Sequence, residues 1–223
     1  MRSRVGSEAW TSPAPAILTT VSMFHVRCGR ETAQAMTSGE TEFRGLLEAM
    51  KRAGGLLNEA GVPWVLGGGL ACWARGGPET EHDVDFLIKP EDADRAQQAF
   101  AQAGLKTERP PEGWLVKAWV DDVLVDLIFE PQDGPVDDDL LARAEELEVY
   151  AMRMKVARLE DVLTQKVLAI SEQQPDFSSV LELARSLREQ VDWEEVRERT
   201  RDSPFAKAYF TLLEELEIVP APS

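Results

Sequence analysis

The sequence contains little cysteine or histidine. Its 223 residues include only Cys28, Cys72, His25 and His82 of these two types. Two cysteines are too few for a disulfide framework, and no Cys-x-x-Cys pair is present to hold a structural zinc ion. Two histidines also leave almost nothing from which to build a Ser-His-Asp triad or a His-rich zinc site. The chemistry of this chain therefore depends mainly on other side chains.

Long apolar segments and basic charge are also scarce. The longest apolar runs, such as residues 123–129, are too short to span a bilayer and contain a charged residue. The chain has 24 Lys and Arg residues against 40 Asp and Glu residues, for a net charge of −16. A protein that coats nucleic acid without regard to sequence needs a basic surface, so that class is excluded. The net charge does not exclude an enzyme that binds one nucleic-acid end through a local basic patch.

Residues 1–40 differ in composition from the rest of the chain. Serine, threonine, proline, alanine and glycine recur there without a sustained apolar period, which predicts a flexible N-terminal extension. Arg2 and Arg4 precede the apolar residues 16–18, as in a signal peptide, but threonines interrupt the apolar part and no clear cleavage site follows. We therefore expect a cytoplasmic protein that does not associate with membranes.

Beyond residue 40 the spacing of apolar residues changes along the chain. Helical and strand-like patterns alternate over residues 41–157, whereas residues 158–223 carry helical patterns only. We expect an α/β (α+β) fold, in which a mixed sheet flanked by helices is followed by a C-terminal helical bundle. The predicted strands cover 64–66, 84–88, 114–120, 123–129 and about 149–156, and the main predicted helices cover 41–60, 70–75, 91–103, 159–170, 177–188, 193–200 and 205–216.

One aspartate lies within the predicted strand at 84–88, and another directly precedes it. Asp83 and Asp85 are two residues apart, so both carboxylates project from one face of the strand, while Val84, Phe86 and Ile88 line the other face. Burying two unpaired anions side by side costs several kcal/mol each. A divalent cation removes this cost, because hard Mg²⁺ selects carboxylate oxygens. A solvated strand end is the alternative, since such aspartate pairs are common.

A third aspartate favours the metal site. Asp126 interrupts the run 123–129, which otherwise suits a strand covered on both faces. Charged residues are almost never fully buried without a partner. An edge strand or an ion pair with an arginine would account for Asp126, but a third ligand beside Asp83 and Asp85 explains it more economically.

Glycines supply a possible phosphate contact. The predicted strand at 64–66 runs into Gly67, Gly68 and Gly69 and then into a short helix. Backbone N–H groups at such a turn bind phosphate well, although the turn alone is a weak signal. A strand, a Gly-Gly turn, a short helix, an Asp-x-Asp strand and a later aspartate in an apolar strand together indicate phosphoryl transfer, with two metal ions clamping a triphosphate.

These motifs resemble a known family. The segment Gly68-Gly69-Leu70-Ala71, the pair Asp83 and Asp85, and Asp126 are similar to the minimal nucleotidyltransferases of the DNA polymerase β superfamily. Within that superfamily the match is best to the AbiEii-like toxins of toxin–antitoxin systems, including the mycobacterial MenT type, over roughly residues 43–215.

The resemblance implies roles for individual residues. Gly68 and Gly69 would hold the triphosphate, Asp83 and Asp85 the Mg²⁺ ions, and Asp126 would be the third carboxylate and a base for the attacking hydroxyl. The chain departs from the family before the Asp-x-Asp pair. Relatives often carry an arginine and a threonine there, whereas here Thr80 is displaced by one place and the arginine is missing.

Lys166 lies within an apolar helical stripe. Leu159, Val162, Leu163, Val167 and Ile170 share its face of the predicted helix 159–170. The lysine either snorkels to solvent or points at nucleotide phosphates, and we favour the second. The resembled family has a functional lysine in a Lys-x-x-Ala context, which residues 166–169 match.

Further candidates lie on either side of Lys166. Arg153, Lys155 and Arg158 form the basic cluster of an acidic body and are candidate RNA contacts, although they could equally be solvated. Asp176 is similar to an acidic residue that relatives place after the lysine helix, and we assign it to nucleotide binding.

Other aromatic and basic residues rank lower. Trp114 and Trp119 lie on opposite faces of one predicted strand, so at most one could stack on a base, and we expect core packing instead. Lys117 is a conceivable second phosphate ligand, and His82 a conceivable substrate contact.

The sequence therefore predicts a metal-dependent nucleotidyltransferase with an NTP as substrate and two Mg²⁺ ions. The resemblance further implies a toxin that adds nucleotides to the 3′ end of tRNA, blocks aminoacylation and is neutralised by a cognate antitoxin protein. A small-molecule nucleotidyltransferase of the antibiotic-resistance type is an alternative that suits the acidic charge. A non-catalytic nucleotide-binding or interaction module is a third.

Overall fold

The computed structural model describes residues 38–80 and 83–220 of the chain. The predicted extension at 1–40 lies outside the described residues except for 38–40, where the first helix has already begun. The helices are α1 (Ser38–Glu59), α2 (Gly68–Trp73), α3 (Ala93–Gln102), α4 (Asp138–Arg143), α5 (Leu159–Leu168), α6 (Ser178–Leu187), α7 (Trp193–Thr200) and α8 (Pro204–Glu215). The strands are β1 (Trp64–Leu66), β2 (Asp83–Ile88), β3 (Lys106–Glu108), β4 (Leu115–Val120), β5 (Val123–Ile128), β6 (Glu145–Val149) and β7 (Met152–Val156).

These strands form one mixed sheet in the order β3-β4-β5-β2-β1-β7-β6. The pairs β2–β5 and β1–β7 are parallel, and the remaining neighbours are antiparallel. The predicted fold class, a mixed sheet flanked by helices with further helices after it, is confirmed. The division of the body into 41–157 and 158–223 stays a prediction.

The hairpin of β4 and β5 closes through the predicted turn. Asp121 and Asp122 have φ angles of 50° and 69°, the left-handed conformation at both central residues that matches the twist of two antiparallel strands. A two-residue turn also determines the register, in which Val120 lies opposite Val123 and Lys117 lies opposite Asp126.

One face of the sheet is covered by α1 and α3. The apolar side of α1 supplies Met50, Ala53 and Leu57, all fully buried, and Phe100 comes from α3. Phe86 and Leu127 meet them from the sheet. Each large side chain buried in this way contributes about 1.5–3 kcal/mol of hydrophobic stabilisation. This closed layer leaves the opposite face of β2 and β5 free to carry polar groups.

The helices after β7 pack around α5, which contacts α2, α6, α7 and α8. The apolar side of α5 is buried through Leu159, Val162, Leu163 and Val167, as its periodicity predicts. Tyr209 from α8 is also fully buried, and its hydroxyl donates a hydrogen bond of 2.8 Å to the carbonyl of Val180 in α6. The contact between α2 and α5 brings the C-terminal helices beside the glycine turn.

Ion pairs also connect these helices. The side chain of Asp161 in α5 is only 1% exposed and accepts two hydrogen bonds, of 3.0 and 2.7 Å, from Nε and Nη2 of Arg143. Nη1 of Arg199 in α7 lies 2.8 Å from the same carboxylate. Burial alone would raise the pKa of Asp161, but the two guanidinium groups outweigh it and lower that pKa. Within residues 38–80 and 83–220, none of the helices is long and apolar enough to cross a membrane.

Candidate active site

Three aspartates converge on one face of the sheet. Asp85 in β2 lies directly opposite Asp126 in the parallel neighbour β5, and Asp83 precedes Asp85 by two residues on the same face. One carboxylate oxygen from each of the three lies within 4.8 Å of the others. The structure thus brings together the three residues that the sequence predicts as metal ligands.

Alternation along the two strands produces this arrangement. Val84, Phe86, Val125 and Leu127 are buried against the helical layer, so the residues between them point the other way. On the aspartate face of β5, Leu124 is half-buried and Asp126 is buried.

Asp85 and Asp126 both have raised pKa values. Burial, followed by the negative charges of Asp83 and Asp126, raises the pKa of Asp85 to about 7, although the Lys166 ammonium opposes the shift. Burial also raises the pKa of Asp126, against the influence of Lys117. Negative charge is therefore concentrated here beyond what the nearby lysines compensate.

The donor set fits a divalent cation. Oδ1 of Asp126 is buried and has no hydrogen-bond partner. Its nearest cation is Nζ of Lys117, at 3.5 Å. Three carboxylate oxygens within 4.8 Å of one another, together with a buried carboxylate oxygen that accepts no hydrogen bond, match the oxygen ligands that Mg²⁺ prefers.

The glycine turn packs directly against Asp85. The amide of Gly67 donates a hydrogen bond of 2.9 Å to the carbonyl of Asp85. Gly68 has a φ of +55°, and a Cβ built on it would overlap the Asp85 carboxylate. A Cβ on Gly69 would lie 2.5 Å from Oγ1 of Thr80. Both positions therefore require glycine, because the backbone of α2 begins in direct contact with these side chains.

Lys166 lies between two cavities beside the glycine turn. A cavity of about 500 Å³ is lined by Lys166, Gln174, Asp176 and Ser179. A second cavity, of about 370 Å³, is lined by Lys166 together with Gly69, Thr80, Glu79 and Glu182. Lys166 is half-buried rather than fully exposed, and its charge acts on Asp85. These positions place Lys166 and Asp176 in one cavity, whereas Ser179 and Glu182 are cavity residues that the sequence patterns did not indicate.

The predicted RNA contacts have different surroundings. Arg153 is 78% exposed on β7, and its nearest carboxylate, that of Glu146, is at 4.0 Å. Nζ of Lys155 donates to the carbonyl of Leu141 at 2.7 Å. Arg158 pairs with Glu160 and with Glu195, at 3.1 and 2.8 Å. The structure does not gather these three cations into one free patch.

The sequence also contains His82 and Cys72 near these motifs. His82 lies outside the described residues. Cys72 is a buried free cysteine in α2, and burial raises the pKa of its thiol to about 11. A thiol with that pKa is not a nucleophile near neutral pH.

The sequence matches a protein family over most of its length. The family is described as "Nucleotidyl transferase of unknown function (DUF2204)", and the match covers residues 46–209. No curated protein sequence matches the chain.

Solved structures with the same fold include an antibiotic-resistance factor. The solution structure of ANT(2'')-Ia shares 17% sequence identity, with a TM-score of 0.54 over 80% of this chain and 98% of that one. A crystal structure of ANT(2'')-Ia with adenylyl-2''-tobramycin shares 16% identity, with a TM-score of 0.52 over 74% and 97% of the two chains. At such identity the similarity establishes the fold, in agreement with the mixed sheet described above.

Proposed function

We propose that the chain, which belongs to the nucleotidyl transferase family DUF2204, uses Mg²⁺ to transfer a nucleoside monophosphate from an NTP to the 3′ end of tRNA. Family membership supports the predicted enzyme class over a non-catalytic module. The tRNA acceptor, the toxin role and the individual residue roles are our proposals.

The observation that carries this proposal is the convergence of Asp83, Asp85 and Asp126, with one carboxylate oxygen of each within 4.8 Å of the others and no hydrogen bond to Oδ1 of Asp126. A purely structural carboxylate at this depth would have a hydrogen-bond donor. The three aspartates would hold Mg²⁺, which neutralises charge on the triphosphate and polarises the phosphorus that is attacked.

The surroundings of the aspartates suit a triphosphate. Gly68 and Gly69 begin α2, and their backbone N–H groups would contact the phosphates. The ammonium of Lys166 would stabilise the negative charge that accumulates during transfer. Asp176, in the 500 Å³ cavity with Lys166, would contact the nucleotide away from its phosphates.

Asp126 would act as the base. Its carboxylate accepts the proton of the acceptor hydroxyl as the acceptor oxygen bonds to the α-phosphorus. The bond from that phosphorus to the bridging oxygen of the β-phosphate breaks, and its electron pair leaves with pyrophosphate. Lys117, beside Asp126, favours the ionised form that this role needs.

A toxin role follows from the acceptor. Nucleotides added to the 3′ end of tRNA would block aminoacylation, and a cognate antitoxin protein would relieve the block. Arg153, Lys155 and Arg158 remain candidate RNA contacts, with Arg153 the most exposed of them.

A second candidate function is nucleotide transfer to a cationic antibiotic. Glu79 and Glu182 line the 370 Å³ cavity next to Gly69 and Thr80. Two carboxylates facing one cavity would attract an amino sugar, and the net charge of −16 would add to this attraction.

Transfer assays separate the two candidates. Each α-labelled NTP is incubated with Mg²⁺, the protein, and either total tRNA or a panel of aminoglycosides and lincosamides. Label in tRNA supports the proposal, label in the drug panel alone supports the second candidate, and label in neither contradicts both. Asp126→Asn is expected to lower transfer by roughly 10²–10⁴-fold, while Asp122→Asn, in the exposed turn, retains it.

The toxin role has its own test. Expression of the protein is expected to arrest growth, and co-expression of the adjacent gene is expected to relieve the arrest. Arrest that persists in Asp126→Asn cells would contradict a mechanism through nucleotide transfer.

A further inference from the structure

The aspartate face of the sheet continues from the metal site to the sheet edge. Register places Leu124 beside Asp83, Trp119 beside Leu124, and Lys106 beside Trp119. Two residues before Trp119 on β4, Lys117 lies beside Asp126. Neighbouring strands are about 4.8 Å apart, so Trp119 is roughly 10 Å from Asp83 and one strand from Asp126.

Trp119 lies on the open face rather than in the core. Val116, Ala118 and Val120 alternate with it and are fully buried on the other side of β4. Trp119 and Leu124 are only partly buried, so the expectation that Trp119 packs in the core is wrong. Nζ of Lys106 lies 3.9 Å from the centroid of the Trp119 ring. The indole is thus partly exposed on the aspartate face, with the Lys106 ammonium over its ring.

We infer that Lys106, Lys117, Trp119 and Leu124 form an acceptor platform that binds the 3′-terminal nucleotide of a single-stranded RNA end. The base stacks on Trp119 against Leu124, and the lysines contact the phosphates. This inference rests on the proposed transfer to an RNA hydroxyl and specifies how that hydroxyl is presented.

The placement of the platform fits this task. Asp126 is on the strand next to Trp119, so the 3′ hydroxyl of a nucleotide stacked on the indole would lie close to the Asp126 carboxylate. The rest of the RNA strand then leaves toward β3, where Lys106 is exposed. Phosphates entering from this side stay away from Glu79 and Glu182, which line a cavity at the glycine turn.

The two lysines are the part of this face that suits a phosphate. Among the described residues, Lys117 forms an ion pair with Asp126, at 3.5 Å, and Lys106 contacts the indole ring. Glu108 and Asp126 lie on either side of Lys117 in the register. The two lysines would repel an ammonium ligand, whereas they would attract a phosphate. Stacking on the indole tolerates any base, because every base has a π-face.

The test measures KM for tRNA and for the NTP separately. Trp119→Leu is expected to raise KM for tRNA by roughly 5- to 150-fold, the loss of one base–aromatic stacking contact, with KM for the NTP changed less than ~2-fold. Trp119→Phe keeps a stacking surface and should recover most of the affinity. Lys106→Ala should weaken tRNA binding and lower the salt slope by about one. Trp114→Leu is the matched control, since this half-buried tryptophan precedes β4 and lies outside the platform.

A binding measurement keeps the inference testable if no transfer occurs. The probe is a fluorescent single-stranded RNA 12-mer with a free 3′ hydroxyl, followed by anisotropy. Weaker binding by Trp119→Leu but not by Trp114→Leu supports the platform, with or without transfer. Equal binding by both variants overturns it.

The outcomes distinguish the platform from the proposed function. Transfer to tRNA with an unchanged KM in Trp119→Leu overturns the platform and leaves the function standing. Transfer to antibiotics alone, with no RNA binding, overturns both. Thermal unfolding of each variant shows that the compared proteins are folded.

Discussion

Gly68 and Asp85 are in direct contact, with the glycine Cα against the aspartate carboxylate. A Cβ on Gly68 would overlap that carboxylate, and the glycine φ of +55° is one that other residues adopt only with strain. The contact joins the first turn of α2 to the aspartate face of β2, so the glycine turn and the Asp85 carboxylate are held together.

The first prediction concerns Gly68→Ala. The added methyl group must push the Asp85 carboxylate aside, so the three aspartates lose their convergence. We expect transfer activity to fall at least ~100-fold, because misplacement of about 1 Å at a reacting centre can cost that much. The Mg²⁺ concentration that gives the half-maximal rate should also rise.

Gly61→Ala is the control for backbone strain. Gly61 has a similar φ of +64°, but no heavy atom lies within 4 Å of a Cβ built there. Both variants should lose about 1–2 kcal/mol of unfolding free energy from left-handed strain. Only Gly68→Ala should lose activity, and equal activity losses would contradict a specific contact with Asp85.

The second prediction concerns pH. In metal-free protein the pKa of Asp85 is about 7, raised from its ordinary value near 3.8 by burial and by Asp83 and Asp126. The folded state then binds this proton more tightly than the unfolded chain does. The contribution of Asp85 to the unfolding free energy is therefore largest below pH 4, and it is lost as pH rises from 4 to 7.

Asp85→Asn isolates this effect because its amide does not titrate. In EDTA, the unfolding free energy of the variant should rise relative to that of the unaltered protein between pH 4 and pH 8, as measured by urea denaturation. Millimolar Mg²⁺ should stabilise the unaltered protein at pH 8 and leave the variant nearly unchanged. A difference that is independent of pH would show that the carboxylate is not held protonated.

Much of the metal site follows from local sequence rules. Alternation with period two places Asp83 and Asp85 on one face, and a two-residue turn sets the register of the hairpin. Once that turn is located, Lys117 must lie opposite Asp126. The adjacency of β2 and β5 is different, because it joins segments about forty residues apart through a parallel pairing that no local pattern encodes.

The two edge strands could not be predicted from the sequence, for a different reason. β3 is Lys106-Thr107-Glu108 and β6 is Glu145–Val149, and both are mainly polar. Neither has an apolar face that would form a strand alone, and each is stabilised by hydrogen bonds to a single neighbour. The pairing of Arg158 with Glu195 could not be predicted either, because Glu195 lies 37 positions away in α7.

The third prediction concerns the ion pairs that hold α5 and α7 together. Arg199 contacts Asp161, Asp133 and Glu195, at 2.8, 2.9 and 3.1 Å. Arg199→Ala leaves the buried Asp161 with Arg143 alone, and we expect a loss of roughly 2–4 kcal/mol in unfolding free energy. The exposed pair of Arg201 and Glu198 provides the control, since Arg201→Ala should change stability by less than about 1 kcal/mol. Equal losses in urea denaturation would contradict a structural role for Arg199.

The fourth prediction separates the two interpretations of Lys166. If its ammonium contacts the triphosphate, Lys166→Ala should lower kcat/KM for the NTP by roughly 10²–10³-fold, the effect of removing one preorganised charge from a transfer site. Since Lys166 also opposes the raised pKa of Asp85, the variant should need a higher pH for half-maximal activity at fixed Mg²⁺. Lys166→Arg keeps the charge and should retain the lower pH midpoint. If the lysine merely snorkels, Lys166→Ala would behave as Lys207→Ala on the exposed side of α8, with stability and kinetics close to those of the unaltered protein.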